Sequence, residues 1–177
     1  MVQVSSPYCN SFHFDPQANG VKEGETVVPK NLKNVIDSSI ELKNATYRAI
    51  KEGYFPIVFG GDHSQALGSL SGYKKMHPFG RIIWIDAHID ANTPSSSPSR
   101  NFHGMPLAFL SGNVPGHKNW HCLDMDRDIC YFGIRSFEEE ERQYILTHKC
   151  LVFESEHCIP TNSKIDKIHK DIHTFFR

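Results

Sequence analysis

The spacing of apolar residues changes several times along the chain, and each change predicts a new structural element. Between residues 31 and 52 apolar side chains recur at every third or fourth position, as Leu32, Val35, Ile36, Ile40, Tyr47 and Ile50. That spacing places them on one face of an amphipathic helix, and Gly53 supplies a stop signal at its C-terminal end.

Four short apolar runs follow this helix, at residues 54–59, 81–86, 129–134 and 150–155. Each run is rich in β-branched or aromatic residues and is flanked by polar residues or glycine, which is typical of buried parallel strands. The first run, YFPIVF, is therefore predicted to be a strand like the other three.

Helical patterns fill the gaps between the apolar runs, over residues 64–77, 136–148 and 161–176. Ser136 and Glu139 have the spacing of a capping box at the start of the second of these helices. The alternation predicts an α/β fold in which a parallel sheet carries helices on both faces. Residues 1–30 lack periodicity and predict an irregular N-terminal segment, and residues 31–177 predict a single domain.

Composition narrows the class of protein. The chain has 177 residues, 22% of them charged, and a formal net charge of -1. Without a dense block of Lys and Arg, a nucleic-acid or anionic-membrane surface has no electrostatic support, so neither partner is expected. No apolar run is long enough to cross a bilayer, and the N-terminus lacks the pattern of a signal peptide or mitochondrial leader, so a cytoplasmic protein is expected.

The five cysteines are odd in number, widely spread and free of any C-x-x-C pair. This pattern argues against a disulfide scaffold and against a structural zinc knuckle. Cys130 and Cys150 lie within apolar runs and are expected to be buried thiols.

Metal-binding side chains follow two of the predicted strands. His63 lies in FGGDHS (59–64), and Asp86, His88 and Asp90 alternate in WIDAHID (84–90). If the chain stays extended after Asp86, these three side chains project from the same side. Ligands collect at the carboxyl ends of parallel strands, so the four residues predict a site for a divalent cation such as manganese.

Each of these residues has an ordinary structural alternative. An aspartate at a strand end is often a helix cap or a turn former, and a single histidine is usually a surface or core residue. The ordered combination of G-G-D-H with D-x-H-x-D favours the metal site over four independent structural roles.

Three dense blocks resemble signature motifs of the arginase family of ureohydrolases: GGDHSQALGSLSG (60–72), WIDAHIDANTP (84–94) and NFHGMPLAFLSG (101–112). YFGIR (131–135) resembles the next strand of that family, and the resemblance extends from about residue 30 to the C-terminus. NTP and HGMP favour arginase over agmatinase, so an agmatine-like substrate is the less favoured alternative. The resemblance implies a three-layer arginase-like fold, present here in part.

The resemblance implies a binuclear manganese hydrolase that converts L-arginine to L-ornithine and urea, in which a metal-bound hydroxide attacks the guanidinium carbon. By similarity, His63 and Asp90 would bind one Mn²⁺, His88 would bind the other, and Asp86 would bridge both. His103 matches a histidine that transfers protons, a task suited to an imidazole that titrates near neutral pH.

The resemblance also implies substrate contacts. Asn92 and Ser99 match residues that bind the α-carboxylate of the substrate, although Asn92 also lies in an Asn-x-Pro sequence that favours a turn. Glu138 occupies the position of an aspartate near the α-amino group, but it belongs to EEEE (138–141) and is favoured as a solvated helix cap. Arg100 stands where the family commonly has glycine.

The family completes its metal pair with a D-x-D motif on a later strand, followed by a glutamate that receives the guanidinium. Here DMD (124–126) precedes the third apolar run instead, so this motif is not matched. Two Mn²⁺ ions carry four positive charges, whereas Asp86 and Asp90 supply only two negative charges. This imbalance favours one bound manganese over two. Members of the family often form trimers, and the oligomeric state of this chain stays open. The alternative to an active enzyme is a catalytically inactive arginase-like chain that binds metal partially or associates with full-length subunits.

His169 and His173 are one helical turn apart in the last predicted helix, a spacing at which two histidines can share a metal ion. Their neighbours Lys170 and Asp171 favour a solvated helix edge instead.

Overall fold

The computed structural model describes residues 27–155 and 162–177. Within these ranges the chain divides into two compact units, which are described separately: residues up to 78 together with 90–123 form the first, and residues 79–89 together with 124–177 form the second. Most of the N-terminal segment predicted at residues 1–30 lies outside the described residues. The single-domain organisation of 31–177 stays a prediction.

The first unit is built mainly from helices: α1 (Leu32–Lys51), α2 (Ala66–Met76) and α3 (Pro106–Leu110). Single 3₁₀ turns cover His63–Gln65, Phe102–Gly104 and Lys118–Trp120. Its core holds fully buried apolar side chains from all three α-helices, including Ile36, Leu67, Leu107 and Phe109. The helices predicted over 31–52 and 64–77 are confirmed.

The predicted C-terminal stop of α1 is also confirmed. Gly53 adopts a left-handed conformation with φ 86°, and the N–H groups of Gly53 and Tyr54 donate to the carbonyls of Ile50 and Ala49. Glycine reaches this conformation without the strain a Cβ would add, so the chain leaves the helix at this point.

Helices α1 and α2 approach closely at two glycines of α2. A Cβ built on Gly68 would lie 2.7 Å from the carbonyl oxygen of Ser39, and one built on Gly72 would lie 2.6 Å from that of Lys43. Gly68 and Gly72 are one turn apart on one helix face, so their hydrogens permit backbone contact that any larger residue would prevent. This contact fixes α2, and α2 directly follows the GGDHS segment.

The strand predicted at residues 54–59 is wrong. The segment belongs to none of the strands in the described chain, and its aromatic residues are exposed, with Phe55 89% and Phe59 91% accessible. Pro56 lies in the middle of the run and has no N–H to donate to a sheet, which disfavours a central strand.

The second unit contains a three-stranded parallel sheet of β1 (Ile82–Ile85), β2 (Ile129–Ile134) and β3 (Leu151–Glu154), in the order β1-β2-β3. Trp84 pairs with Tyr131, and Tyr131 in turn pairs with Val152. Three of the four predicted strands and their parallel arrangement are therefore confirmed.

Three helices accompany this sheet: α4 (Met125–Asp128), α5 (Glu139–Thr147) and α6 (Asn162–Phe175). The predicted capping box of Ser136 and Glu139 is wrong, because the cap forms two residues later. The Glu138 carboxylate accepts the backbone N–H at position N3, and the Glu141 carboxylate accepts the N–H of Glu138 at 3.2 Å. A glutamate cap is unusual, and the run of four glutamates hides which one begins the helix.

The thiols of Cys130 and Cys150 lie in the second unit. Cys130 is fully buried and Cys150 is half-buried, with its Sγ donating to the carbonyl of Met125 at 3.3 Å. Burial raises the pKa of Cys130 to about 11 and that of Cys150 to about 12. The expectation of a buried thiol is therefore confirmed for Cys130, whereas Cys150 is only half-buried.

Among the described helices, none combines the length and the apolar character needed to cross a membrane.

Replacing Gly72 by alanine tests the contact between α1 and α2. The added methyl group would overlap backbone atoms, so we expect the free energy of unfolding to fall by about 1–3 kcal/mol. Urea denaturation measures this change. Gly104→Ala is the matched control, because a Cβ there meets nothing within 4 Å. Equal stability of the Gly72→Ala and Gly104→Ala variants would show that the two helices do not depend on this approach.

The raised thiol pKa values predict slow alkylation of Cys130 and Cys150 at pH 8. A folded-state pKa above the ordinary value of 9.0 stabilises the protein fully below pH 9, and this contribution is lost as the pH rises through about 11 and 12. Iodoacetamide labelling followed by mass spectrometry should show both sites reacting at least about tenfold more slowly in the native chain than in urea. Similar rates in both conditions would contradict the burial of these thiols.

Candidate metal centre

The segment that carries His63 is held by its neighbours in the first unit. Asp62 caps the 3₁₀ turn His63–Gln65, and its carboxylate accepts the N–H of Ser64 at 2.9 Å and also the Ser64 hydroxyl. The hydrogen bond from that hydroxyl is the main cause of a lowered pKa at Asp62, with smaller contributions from the charges of His103 and His63. Asp62 therefore stays ionised and fixes the backbone on which His63 is mounted.

Asp90 is the partner of His63 in the same unit. Its carboxylate Oδ2 lies 2.7 Å from Nδ1 of His63, and its side chain is 7% exposed against 41% for the imidazole. The Asp90 carbonyl accepts the N–H of Leu107 at 3.0 Å, which anchors the residue against the start of α3. A buried carboxylate is stable only with such a partner, so Asp90 and His63 depend on each other.

Asp90 is also conformationally unusual, with φ 55°. Aspartate and asparagine tolerate this left-handed conformation better than other residues with a Cβ. The conformation turns the chain sharply after WIDAHI, so Asp90 reaches His63 through a bend.

Asp86 and His88 meet in the second unit. The N–H of Asp86 donates to the carbonyl of Phe132 at 3.0 Å and extends the β1–β2 ladder by one bond. The Asp86 carboxylate then accepts the N–H of His88 at 2.8 Å and lies 3.3 Å from Nδ1 of the same residue. Both side chains thus lie together just after the carboxyl end of β1.

The chain does not stay extended after Asp86, so the condition for Asp86, His88 and Asp90 to project from the same side is not met. The Asp86 carboxylate accepts the N–H of His88, and this local hydrogen bond bends the backbone. Aspartate side chains often form such bonds in place of the backbone hydrogen bonds of a strand. The carbonyl of Ala87 then accepts the N–H groups of Arg135 and Ser136, each at 3.0 Å, and ties the bend to the chain after β2.

The residues expected to contact substrate have different environments. Asn92 is buried, and its Oδ1 accepts the Ser96 hydroxyl at 2.8 Å, so the turn interpretation holds for this residue. Ser99 is exposed, and its hydroxyl accepts the N–H of Asn101 at 3.2 Å. His103 is exposed on the 3₁₀ turn Phe102–Gly104, and Glu138 is the cap of α5.

Sequence reasoning missed Ser96 and the carbonyl of Gly104. The N–H of Asn92 donates to the Gly104 carbonyl at 3.1 Å, which joins the NTP loop to the turn that carries His103. The signal for Ser96 was the serine-rich run SSSPS directly after NTP, since serine hydroxyls commonly stabilise turns of this kind.

The structure thus assembles two imidazole–carboxylate pairs, His63 with Asp90 in the first unit and His88 with Asp86 in the second. Three of the four residues lie within five consecutive positions of one segment. Mixed nitrogen and carboxylate donors are the ligands that divalent cations of intermediate hardness prefer. The donor groups at these positions are those of a candidate divalent-cation site built on an α/β scaffold.

Comparison with known proteins identifies the family. The family model described as "Arginase family" matches residues 6–176. An arginase of Staphylococcus aureus (strain MSSA476) is 37% identical over 168 residues, which cover 93% of this chain and 50% of the relative. The chain belongs to the arginase family, and it spans about half the length of the curated relatives it matches.

Solved structures agree with this assignment. An arginase from Bacillus caldovelox aligns with a TM-score of 0.73 and 29% identity, over 88% of this chain and 52% of the other. An arginase from Entamoeba histolytica in complex with L-ornithine aligns with a TM-score of 0.64 and 33% identity, over 85% of this chain and 53% of the other. The fold is therefore the arginase α/β fold, covered in part.

The left-handed conformation of Asp90 predicts which substitutions the position tolerates. Asp90→Asn keeps an oxygen that can face His63 and a residue type suited to positive φ, whereas Asp90→Ala loses both. We expect Asp90→Ala to be less stable than Asp90→Asn by about 1–2 kcal/mol. Urea denaturation in the presence of a chelator separates this effect from metal binding. Equal stability of the two variants would mean that neither the bond to His63 nor the positive φ matters.

Proposed function

We propose that this chain carries the ligands of an arginase-type manganese centre and acts in the hydrolysis of L-arginine to L-ornithine and urea. The contact of His63 with the buried carboxylate of Asp90 is the observation that carries this proposal. The buried Asp90 carboxylate lies against the half-buried His63 imidazole, with Nδ1 and Oδ2 2.7 Å apart, and the pair would present two donor atoms to one cation.

The donor set fits manganese better than zinc. The carboxylate oxygens of this mixed set suit manganese, whereas a closed zinc site more often includes thiolates. The thiols of Cys130 and Cys150 are held protonated by burial and are poor ligands. By the family resemblance, His63 and Asp90 would be ligands of one Mn²⁺, His88 would be a ligand of a second, and Asp86 would be shared by both.

Charge sets the expected stoichiometry. Asp86 and Asp90 supply two negative charges, which balance one Mn²⁺ and leave a pair of cations uncompensated at a separation of roughly 3.5–4 Å. We therefore propose that the 177-residue chain holds one manganese ion firmly, and that a second ion is held only where further carboxylates are supplied.

Bound manganese would supply a water molecule of lowered pKa, and hence a nucleophile for the guanidinium carbon at neutral pH. The side chains provide the rest. His103, which is exposed on its 3₁₀ turn, transfers a proton to the leaving amine. The carbonyl of the next residue, Gly104, accepts the N–H of Asn92 and so holds the NTP loop against this turn. By the family resemblance, Asn92 and Ser99 would bind the α-carboxylate of arginine, and Glu138 would match the residue near the α-amino group.

The alternative is an arginase-like chain without catalytic activity, which binds metal partially and associates with full-length subunits. The exposed residues 54–59 favour this alternative, since Phe55 and Phe59 present apolar surface that a second chain would bury. A homo-oligomer is a weaker proposal, and an agmatine-like substrate is disfavoured by the NTP and HGMP motifs. The cytoplasmic location and a role in arginine metabolism and the urea cycle remain part of the proposal.

Manganese stoichiometry tests the proposed centre directly. We expect the chelator-treated chain to bind close to one Mn²⁺, and Asp86→Asn or Asp90→Asn to weaken that binding by about 10- to 100-fold, because each removes a charged ligand. Equilibrium dialysis with elemental analysis measures both quantities. Asp37→Asn is the matched control, since Asp37 forms only an exposed ion pair with Lys33 in α1. Unchanged manganese binding in both ligand variants would exclude the proposed centre.

Urea release separates the catalytic role of His103 from metal binding. In a chain that hydrolyses arginine, we expect His103→Asn to lower kcat by about 10²–10⁴-fold while manganese stoichiometry stays the same, because the residue transfers a proton. Parallel assays with arginine and agmatine identify the substrate. If the chain binds manganese but releases no urea from either compound, the inactive alternative is correct.

A further inference from the structure

Two histidines of α6 take no part in the proposed hydrolysis. His169 and His173 are exposed and lie one turn apart on α6, with their ring centroids 6.3 Å from each other and their planes 31° apart. Residues four apart on a helix are neighbours on its surface, and both side chains lean towards its N-terminal end. The two rings therefore face the same region of solvent.

Neither ring is committed to another contact within the described chain. Their mutual approach is the one side-chain interaction that involves them, and no hydrogen bond or ion pair to either ring occurs among the described residues. His77 and His148, by comparison, lie over Tyr73 and Tyr144 with centroids 5.1 Å and 4.5 Å apart. The nitrogens of His169 and His173 are thus available as ligands.

The separation of the two rings suits a shared cation. With metal–nitrogen distances of about 2.0–2.1 Å and a tetrahedral angle, the two ring centroids would lie about 5 Å apart. Closing the gap from 6.3 Å needs a movement of about 1 Å, which exposed side chains make by rotating within their allowed conformations. The helix backbone does not have to move.

We propose that His169 and His173 form a second metal site, distinct from the manganese centre, for a divalent cation that prefers imidazole. Zinc, nickel and copper(II) accept two neutral imidazoles with water in the remaining positions. Manganese and magnesium favour oxygen donors, and this pair contributes none. The α6 site and the His63–Asp90 pair therefore select different metals.

Metal binding at this site would stabilise α6 itself. The packing of α6 leaves much apolar surface uncovered: Ile165 is 49% exposed, and Phe176, just after the helix, is 50% exposed. One contact that does hold the helix is between the Phe175 ring and the Arg81 guanidinium, which lie 5.2 Å apart. A cation that links positions four apart closes one helical turn and opposes fraying. Helix content then becomes a readout that is independent of any enzyme activity.

Titration of the full chain with NiCl₂ after chelator treatment tests the proposal. We expect His173→Ala to lose one Ni²⁺ site, or to bind Ni²⁺ there at least about tenfold more weakly. In the unmodified chain the second imidazole is held beside the ion that the first has bound, and the variant lacks this advantage. Manganese stoichiometry should be unchanged. Circular dichroism should show that Ni²⁺ raises the helical signal of the unmodified chain and leaves that of His173→Ala unaltered.

A register variant supplies the matched control. The double substitution Asp171→His with His173→Ala keeps the number of histidines but places them two apart, on different sides of the helix. It should behave like His173→Ala, and His169→Gln should do so as well. Nickel binding by the register variant equal to that of the unmodified chain would overturn the proposal, as would an unchanged isotherm in His173→Ala. Either result would leave the manganese centre unaffected.

Discussion

The approach of the Asp90 carboxylate to His63 is the interaction on which the candidate site depends. It joins the residue after GGD to the end of WIDAHID, and it brings a buried negative charge against an imidazole. A carboxylate with 7% exposure would be costly without a partner, and the His63 imidazole at 2.7 Å is that partner. The local backbone is arranged for this requirement: Asp90 accepts a positive φ, and its carbonyl is anchored by Leu107.

The helices explain how His63 comes to face Asp90. The close approach of α1 and α2 at Gly68 and Gly72 fixes the helix that begins at Ala66, immediately after the 3₁₀ turn of His63. The carboxylate of Asp62 caps that turn and remains ionised because Ser64 donates to it. The GGDHS motif therefore combines a candidate ligand, His63, with a capping acid and a 3₁₀ turn that orient it. Residues beside a metal ligand commonly have this role.

The spacing of apolar residues predicted helix α1, which forms its hydrogen bonds within itself, and strand β2, which pairs with a strand on each side. Helix α1 and strand β2 were predicted within one residue, because their apolar spacing is long or dense and their ends carry clear stop signals. The strand at 54–59 was predicted wrongly because an apolar run shows that a segment prefers burial and does not show that a partner strand is present. Pro56 was the available warning, since a residue without an N–H is a poor member of a central strand.

The same distinction applies to the site. Residue types at fixed spacing identified His63, Asp86, His88 and Asp90 as candidate ligands, because imidazole and carboxylate groups at strand ends have few other purposes in that combination. Their conformation was not predictable from a period of two. An aspartate can use its side chain to accept a backbone N–H two residues later, and Asp86 does so with His88. The bend that results, together with the left-handed Asp90, is a side-chain effect on the backbone.

The exposed segment after α1 links the fold to the choice between an active enzyme and an inactive relative. Tyr54, Phe55 and Phe59 are 67%, 89% and 91% exposed, and contiguous apolar surface of this kind marks an interaction site or an aggregation hazard. Ile83 and Ile85 expose a second apolar strip on β1, at 43% and 78%. Since GGDHS follows Phe59 directly, whatever covers residues 54–59 also restrains the backbone that leads to His63. Burial of this segment and occupancy of the proposed metal centre should therefore be coupled, because both reduce the conformations open to the same short stretch of chain.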